Sequence, residues 1–359
     1  MISRRIVSSC AIVGTVIAAG SGSAAIGRDG QAARTSPLAS VTGAARAVTR
    51  LPWDRATQGL PVLTVGQHDV WIGSIILKPA APTVWRVDPV RATVLPTPLT
   101  EQLLDIFPGD GTLWVSAQPS HDGLLVYWVD IAHGFGLVGK AVPGSCRTGD
   151  GGHSAVYGGK LWLTCSGYGI YVFARGERRP IQRLRQRKLG ALLPASNGLW
   201  AASERSLRAV AGKSRGTVIP LPHGFVVAGD YASNLGWAVA GATAWAIGLG
   251  PTADPELVRI DLNRRVATAF PIVAPVGRDG YLGGGIAVAG EEIWLGDFQH
   301  VRLIRYSGAH PDRPVGYITL PGHGRSPLVY FRLQGGAGAA WADAEGPSGA
   351  AIYRVAINK

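Results

Sequence analysis

The chain has 359 residues, of which 47% are hydrophobic and only 16% charged, with 50 glycines, 24 prolines and a single methionine. Abundant turn formers and sparse charge favour a β protein with compact hairpins over a helical enzyme. The net charge of +12 favours anionic partners. Its basic residues are scattered apart from the run Arg175–Lys188, which speaks against nucleic acid.

The first residues, Met1-Ile-Ser-Arg-Arg5, are basic, Ile6 to Ala19 is an apolar run, and Gly-Ser-Gly-Ser-Ala-Ala25 follows. This is the layout of a secretory signal peptide over residues 1–25. The apolar run is too short to span a bilayer comfortably. Loss of that segment removes Arg4 and Arg5 and no acid, so +12 − 2 leaves +10 on the mature chain. The expected location is therefore secreted or extracytoplasmic, with retention as an N-terminal membrane tether as the alternative. Phospholipid headgroups and anionic wall polymers are the partners that such a charge suits. Residues 26–44, rich in Ala, Gly, Ser, Thr and Arg, bury too little apolar surface to order themselves and read as a flexible tether.

From residue 45 onward one phrase recurs, an aliphatic or small residue, then Trp, then another apolar residue. Its copies centre on Trp71, Trp114, Trp162, Trp200, Trp245, Trp294 and Trp341, separated by 43, 48, 38, 45, 49 and 47 residues. A period in that range marks an array of four-stranded blades. Each Trp is preceded by a short strand and a turn, as in Gly285-Ile-Ala-Val-Ala-Gly-Glu-Glu-Ile-Trp294. After it comes an apolar segment that in five copies carries Arg: Arg86, Arg208, Arg259, Arg305 and Arg354. A β-branched run ending at proline closes the unit, as in Thr93-Val-Leu-Pro96 and Tyr317-Ile-Thr-Leu-Pro321. Short apolar runs bounded by Gly, Pro and Asp are strands, and four per period make a propeller blade.

The fold expected is all-β, a seven-bladed β-propeller over residues 45–359. One large apolar group per blade fills the wedge between neighbours, so the seven repeated indoles belong to the core. Trp53, Trp85, Trp128 and Trp237 lie off the repeat and are expected at the surface, and the third-strand arginines are expected to be solvated or paired between blades. The last copy ends at its third strand, whereas Ala45–Pro52 ends in Leu-Pro as a fourth strand does. Pairing Ala45–Pro52 with Ile352–Ile357 would seal the ring and remove its open edges.

Three cysteines are present, and removal of Cys10 with the signal leaves Cys146 and Cys165. Two cysteines in an exported chain imply a disulfide. In a propeller the loops ahead of each first strand and between second and third strands gather at the channel mouth. The candidate ligand residues on those loops are Asp150, His153, Asp297, His300, His323 and Asp343, with Glu345 beside them. Acids and imidazoles that converge there could bind calcium or magnesium, or act as acid and base. No zinc spacing, nucleophile elbow, P-loop or dinucleotide fingerprint occurs, so no cofactor is called for.

The Gly-x-x-Ile-Trp-Leu phrase at Gly290–Leu295, followed by apolar-Arg-apolar and a strand ending Leu-Pro, resembles the extracytoplasmic propellers of the YVTN, quinoprotein-like and virginiamycin B lyase-like group. The resemblance covers residues 45–359 and speaks for fold more than for activity. In the lyases it implies magnesium-assisted elimination by His and Glu on the channel face, for which His300, His323 and Glu345 are the nearest counterparts here. The quinoprotein docking phrase has a counterpart only in Gly159-Lys-Leu-Trp162, once and at the wrong spacing, which argues against a quinone. Two readings follow. The first is a monomeric, non-catalytic scaffold that binds a partner protein, cell-wall polymer or small ligand at its channel face. The second is a metal-assisted lyase or hydrolase at the same face.

Overall fold

The computed structural model describes residues 48–53, 60–66, 68–75, 84–87, 92–95, 102–109, 112–118, 125–130, 154–165, 169–177, 179–185, 189–228, 236–272, 285–297, 299–322, 330–346 and 349–356. The signal, the tether, Cys146, Asp150, His153 and His323 lie outside them. Within the described residues the chain forms antiparallel strands arranged in seven sheets, the seven blades expected.

Blade 1 holds β2 (Leu60–Val65), β3 (Val70–Ile75), β4 (Val84–Val87) and β5 (Ala92–Leu95). Blade 2 shows β6 (Gln102–Gly109), β7 (Thr112–Gln118) and β8 (Leu125–Asp130). Blade 3 is β9 (Ser154–Tyr157), β10 (Lys160–Cys165), β11 (Gly169–Ala174) and β12 (Gln182–Leu184). Blade 4 is β13 (Leu192–Ala195), β14 (Gly198–Ala202), β15 (Ser206–Ala211) and β16 (Val218–Pro220). Blade 5 has an additional short strand, β17 (Val226–Val227), ahead of β18 (Trp237–Ala240), β19 (Thr243–Leu249), β20 (Pro255–Asp261) and β21 (Val266–Pro271). Blade 6 is β22 (Ile286–Ala289), β23 (Glu292–Asp297), β24 (Arg302–Ser307) and β25 (Pro314–Thr319). Blade 7 combines β26 (Tyr330–Gly336), β27 (Ala339–Gly346) and β28 (Gly349–Ala356) with β1 (Val48–Trp53) from the far end of the chain.

The strands β2, β6, β9, β13, β18, β22 and β26 each touch their counterparts in both adjacent blades, and β26 returns to β2. They therefore ring a common axis. Closure works as the sequence implies: β1 pairs antiparallel with β28, from Val48 opposite Val355 to Trp53 opposite Ala350. Every repeated Trp lies on the second strand of its blade, and all seven are 7% exposed or less. Six are seen to pack onto the following blade. Trp294, for example, meets Leu333, Ala340 and Ala342 of blade 7, and Trp341 meets Leu63, Val70 and Ile72 of blade 1. The inner strands approach so closely that a Cβ on Gly335 would run into the Val288 carbonyl of blade 6.

The four remaining tryptophans depart from expectation, since none of them is exposed. Trp237 is 4% and Trp53 8% exposed, while Trp85 and Trp128 are half-buried. The reason is space. Between blades 4 and 5 the wall is built from Ala191, Ala195, Ala202, Ala209, Ala244 and Ala246, which leaves room for Trp237 beside Trp200. Between blades 7 and 1, Trp53 meets Trp85 edge to face with centroids 4.9 Å apart, a favoured aromatic geometry.

The third-strand arginines have a partner that the sequence pattern did not suggest. Arg86, Arg259 and Arg354 stand directly opposite Trp71, Trp245 and Trp341 in the ladder. Their guanidinium carbons sit 5.9, 5.8 and 6.0 Å from the indole centroids, within cation–π range. Arg305, opposite Trp294, instead donates to Glu292 at 3.1 Å. Arg86 also pairs with Asp69, its Nε donating to Oδ1 at 2.9 Å.

Candidate functional site

All blades share one up-and-down order, so the turns between second and third strands lie on one face of the ring. The turn of blade 6 carries Asp297, at the end of β23, and His300, whereas Asp343 and Glu345 fall within strand β27 of blade 7 and not on a turn.

Asp297 ends β23 with no solvent exposure. Its carboxylate accepts from Arg302 Nε at 2.6 Å and from the His300 backbone N–H at 3.2 Å, and His300 Nδ1 lies 3.0 Å from Oδ2. The acid thus ties both ends of the turn to itself. Arg302, absent from the expected set, is held from the other side by Tyr317, whose ring centroid is 4.9 Å from the guanidinium carbon. An Asp five residues ahead of an Arg across a tight turn was the available signal. His300 keeps half of its side chain exposed; it is the accessible member of the group, while Asp297 is its support.

Asp343 lies elsewhere, two residues past Trp341 on the side of β27 that faces blade 1. It is fully buried. The corresponding residues in the other blades are Gly73, Ser116, Thr164, Ala202, Ile247 and Gly296, so blade 7 alone places a carboxylate there. The Leu63 backbone N–H of blade 1 approaches Oδ2 at 3.4 Å, and Oδ1 has no hydrogen-bond partner of normal geometry among the described residues. Burial pushes the carboxyl up to about 7, against the opposing pull of the Arg332 charge and the backbone N–H groups of Leu63, Asp343 and Arg332. Desolvation of the charged form is the larger effect.

Around Asp343 the side chains of blade 7 satisfy the backbone edge of β2. Gln334 Nε2 and Arg332 Nη1 both donate to the Leu63 carbonyl, at 2.9 and 3.2 Å, and Gln334 Oε1 accepts from the Val65 N–H at 2.9 Å. These bonds join residues about 270 positions apart in sequence. They form a second latch across the seam that β1 closes at the rim. Glu345, two residues beyond Asp343, is also buried at 7%.

The expected convergence is therefore partial. Asp297 and His300 come together, whereas Asp343 belongs to the 7–1 seam. Among the described residues no three His, Cys, Asp or Glu side chains form a group that could hold a metal ion. Asp150, His153 and His323 lie outside them.

No family model matches this sequence, and no curated protein sequence matches it. Solved structures do. A prolyl endopeptidase matches at 15% identity and TM-score 0.56, over 81% of this chain and 46% of its own. The WD40 domain of Pan2 from Neurospora crassa matches at 9% identity and TM-score 0.53, over 83% and 89%. The WD40 domain of Toxoplasma gondii coronin matches at 7% identity and TM-score 0.51, over 83% and 81%. The likeness is one of fold. This chain spans less than half the length of the endopeptidase.

Proposed function

We propose that this propeller is an exported, non-catalytic binding scaffold that takes a partner protein, wall polymer or small ligand on the face carrying the β23–β24 turn. The observation that carries the reading is the division of labour in that turn. A buried carboxylate, Asp297, is consumed by Arg302 and by the backbone of His300, which leaves a half-exposed imidazole on a rigid base. Rigid elements that display a polar loop suit recognition. A catalytic acid would need to reach a substrate, and Asp297 and Asp343 are both sealed from solvent.

Export belongs to the same proposal. It rests on the basic-apolar-small layout of residues 1–25 and on a Cys146–Cys165 disulfide that would tie the loop ahead of blade 3 to the end of β10. Cys165 is 2% exposed. The chain-entropy contribution of such a bond is about 3 kcal/mol. Non-reducing peptide mapping of the secreted protein should recover the Cys146–Cys165 cross-link; two free thiols would end this part of the reading.

The deciding experiment is a pull-down and metabolite screen with residues 26–359, run beside His300→Ala. That variant leaves Asp297 and Arg302 paired and so preserves the turn. Loss of a ligand from the variant's set supports the assignment. An identical set for both proteins places recognition on other loops.

A further inference from the structure

Ring closure sets blade 7 against blade 1, and this contact holds a group that the other six do not. Two residues after the repeated Trp the other blades carry Gly73, Ser116, Thr164, Ala202, Ile247 and Gly296, whereas blade 7 carries Asp343, with no solvent exposure. The unpaired edge of β2 lies across from it. On that edge the Val65 N–H donates to Gln334 Oε1 at 2.9 Å, and the Leu63 carbonyl accepts from Gln334 Nε2 at 2.9 Å and from Arg332 Nη1 at 3.2 Å. The Leu63 N–H comes only to 3.4 Å from Asp343 Oδ2. Two residues earlier, where the same edge would offer its next donor, stands Pro61, which has no N–H. Asp343 Oδ1 has no hydrogen-bond partner among the described residues.

The charged groups near Asp343 come from its own blade. Arg332 stands directly opposite on β26, and Glu345 follows two residues on along β27. On β28 the residue opposite is Ile352, with Arg354 at the next position on that side, over Trp341. Strand β2 brings no titratable side chain.

Ionisation of Asp343 therefore acts on the contact in two ways, both loosening it. A hydrogen bond between opposite charges is stronger than one to a neutral carbonyl, so the carboxylate draws Arg332 away from Leu63. A bond that crossed between blades becomes one within blade 7. The new charge also sits where water is excluded, which is costly for an ion that blade 1 meets with a single long N–H. Separation of the two blades admits water to it.

We propose that the contact between blades 7 and 1 is a proton-operated latch, shut while Asp343 is protonated and opened by loss of that proton, with every blade keeping its own sheet. The ring then parts at the seam where the chain closes it, and β1 stays paired with β28 because both belong to blade 7. Burial raises the carboxyl from 3.8 to about 7 in the shut form, and access of water returns it toward its ordinary value. The shut form thus binds the proton more tightly. Opening is least below pH 3.8, grows about tenfold per pH unit, and levels off above about 7.

The test is amide hydrogen exchange of residues 26–359 from pH 4 to 8, expressed as protection factors so that the pH dependence of exchange itself is divided out. Leu63 and Val65 should lose protection about tenfold per pH unit up to about pH 7 and no further. Ser196 is the reference, since its N–H donates to the Gly241 carbonyl at 2.8 Å across the contact of blades 4 and 5; its protection should hold. In Asp343→Asn the protection of Leu63 and Val65 should be flat over the same range. Asp343→Ser, which installs the residue that blade 2 carries at this position, should be flat as well, and thermal melts establish that both variants fold. Constant protection at Leu63 and Val65 in the parent, the same fall in both variants, or a fall at Ser196 in step with the other two would each overturn the proposal.

Discussion

Replacement of Asp343 by Asn tests the seam between blades 7 and 1 most directly. The aspartate is fully buried, faces Leu63 across the interface and Arg332 on the adjacent strand of its own blade, and has its carboxyl raised from 3.8 to about 7. A folded-state value above the unfolded one means that the folded chain binds a proton that the unfolded chain releases. The sign follows: the contribution of this group is greatest below pH 3.8, falls as pH rises, and is lost above about 7. The slope between those limits is about 1.4 kcal/mol per pH unit, and the whole interval corresponds to about 4 kcal/mol. Asparagine keeps the shape and stays neutral. Asp343→Asn should therefore match the parent near pH 4 and exceed it by up to about 4 kcal/mol at pH 8. At about 2 cal/mol/K of unfolding entropy per residue over residues 45–359, that is about 6 °C in Tm. The assay is paired urea and thermal unfolding at half-unit pH steps from 4 to 8. The difference between the two proteins cancels the titrating groups that both share. Parallel stability curves, or a variant less stable at pH 8, would refute the account of Asp343 as a carboxyl raised by burial.

Three further outcomes are expected. Trp294→Ala empties the wedge between blades 6 and 7 and should cost about 3–5 kcal/mol in chemical denaturation, as for other large buried aromatics. Arg259→Ala removes the guanidinium over Trp245 and should cost only about 0.5–1 kcal/mol; measured in a urea series, a larger loss would mean that the arginine has a second role. Deletion of residues 1–53 removes β1 and exposes the edge of β28, so analytical ultracentrifugation should show concentration-dependent association where the full-length domain shows none.

Much of the fold was legible because its signals are local and repeated. A Trp on each second strand, a proline at or just after the fourth strand of blades 1, 4, 5 and 6, and an unpaired Leu-Pro segment near the start are enough to count the blades and to predict that the first strand completes the last. The off-repeat tryptophans misled for the complementary reason. Whether Trp237 or Trp53 is buried depends on the alanines of a neighbouring blade, which no periodicity within their own segment reports. The candidate site was readable only in part. Proximity in sequence linked Asp297 to His300, and the same turn contained Arg302, but nothing in the pattern distinguished a structural acid from a recognising one.

The sequence by itself determined the number of blades, the strand that bears each indole and the closure of the ring, since these follow from a period close to 45 residues and from hydrogen-bonding edges that must be paired. Tertiary structure alone decided the chemistry. Asp343 becomes a carboxyl raised to about 7 only because closure brings Leu63, 280 residues away, against it and excludes water. His300 becomes presentable only because Asp297 is sealed beneath it. Desolvation and cross-blade contact are properties of the assembled ring, and they arise between residues that the chain keeps far apart.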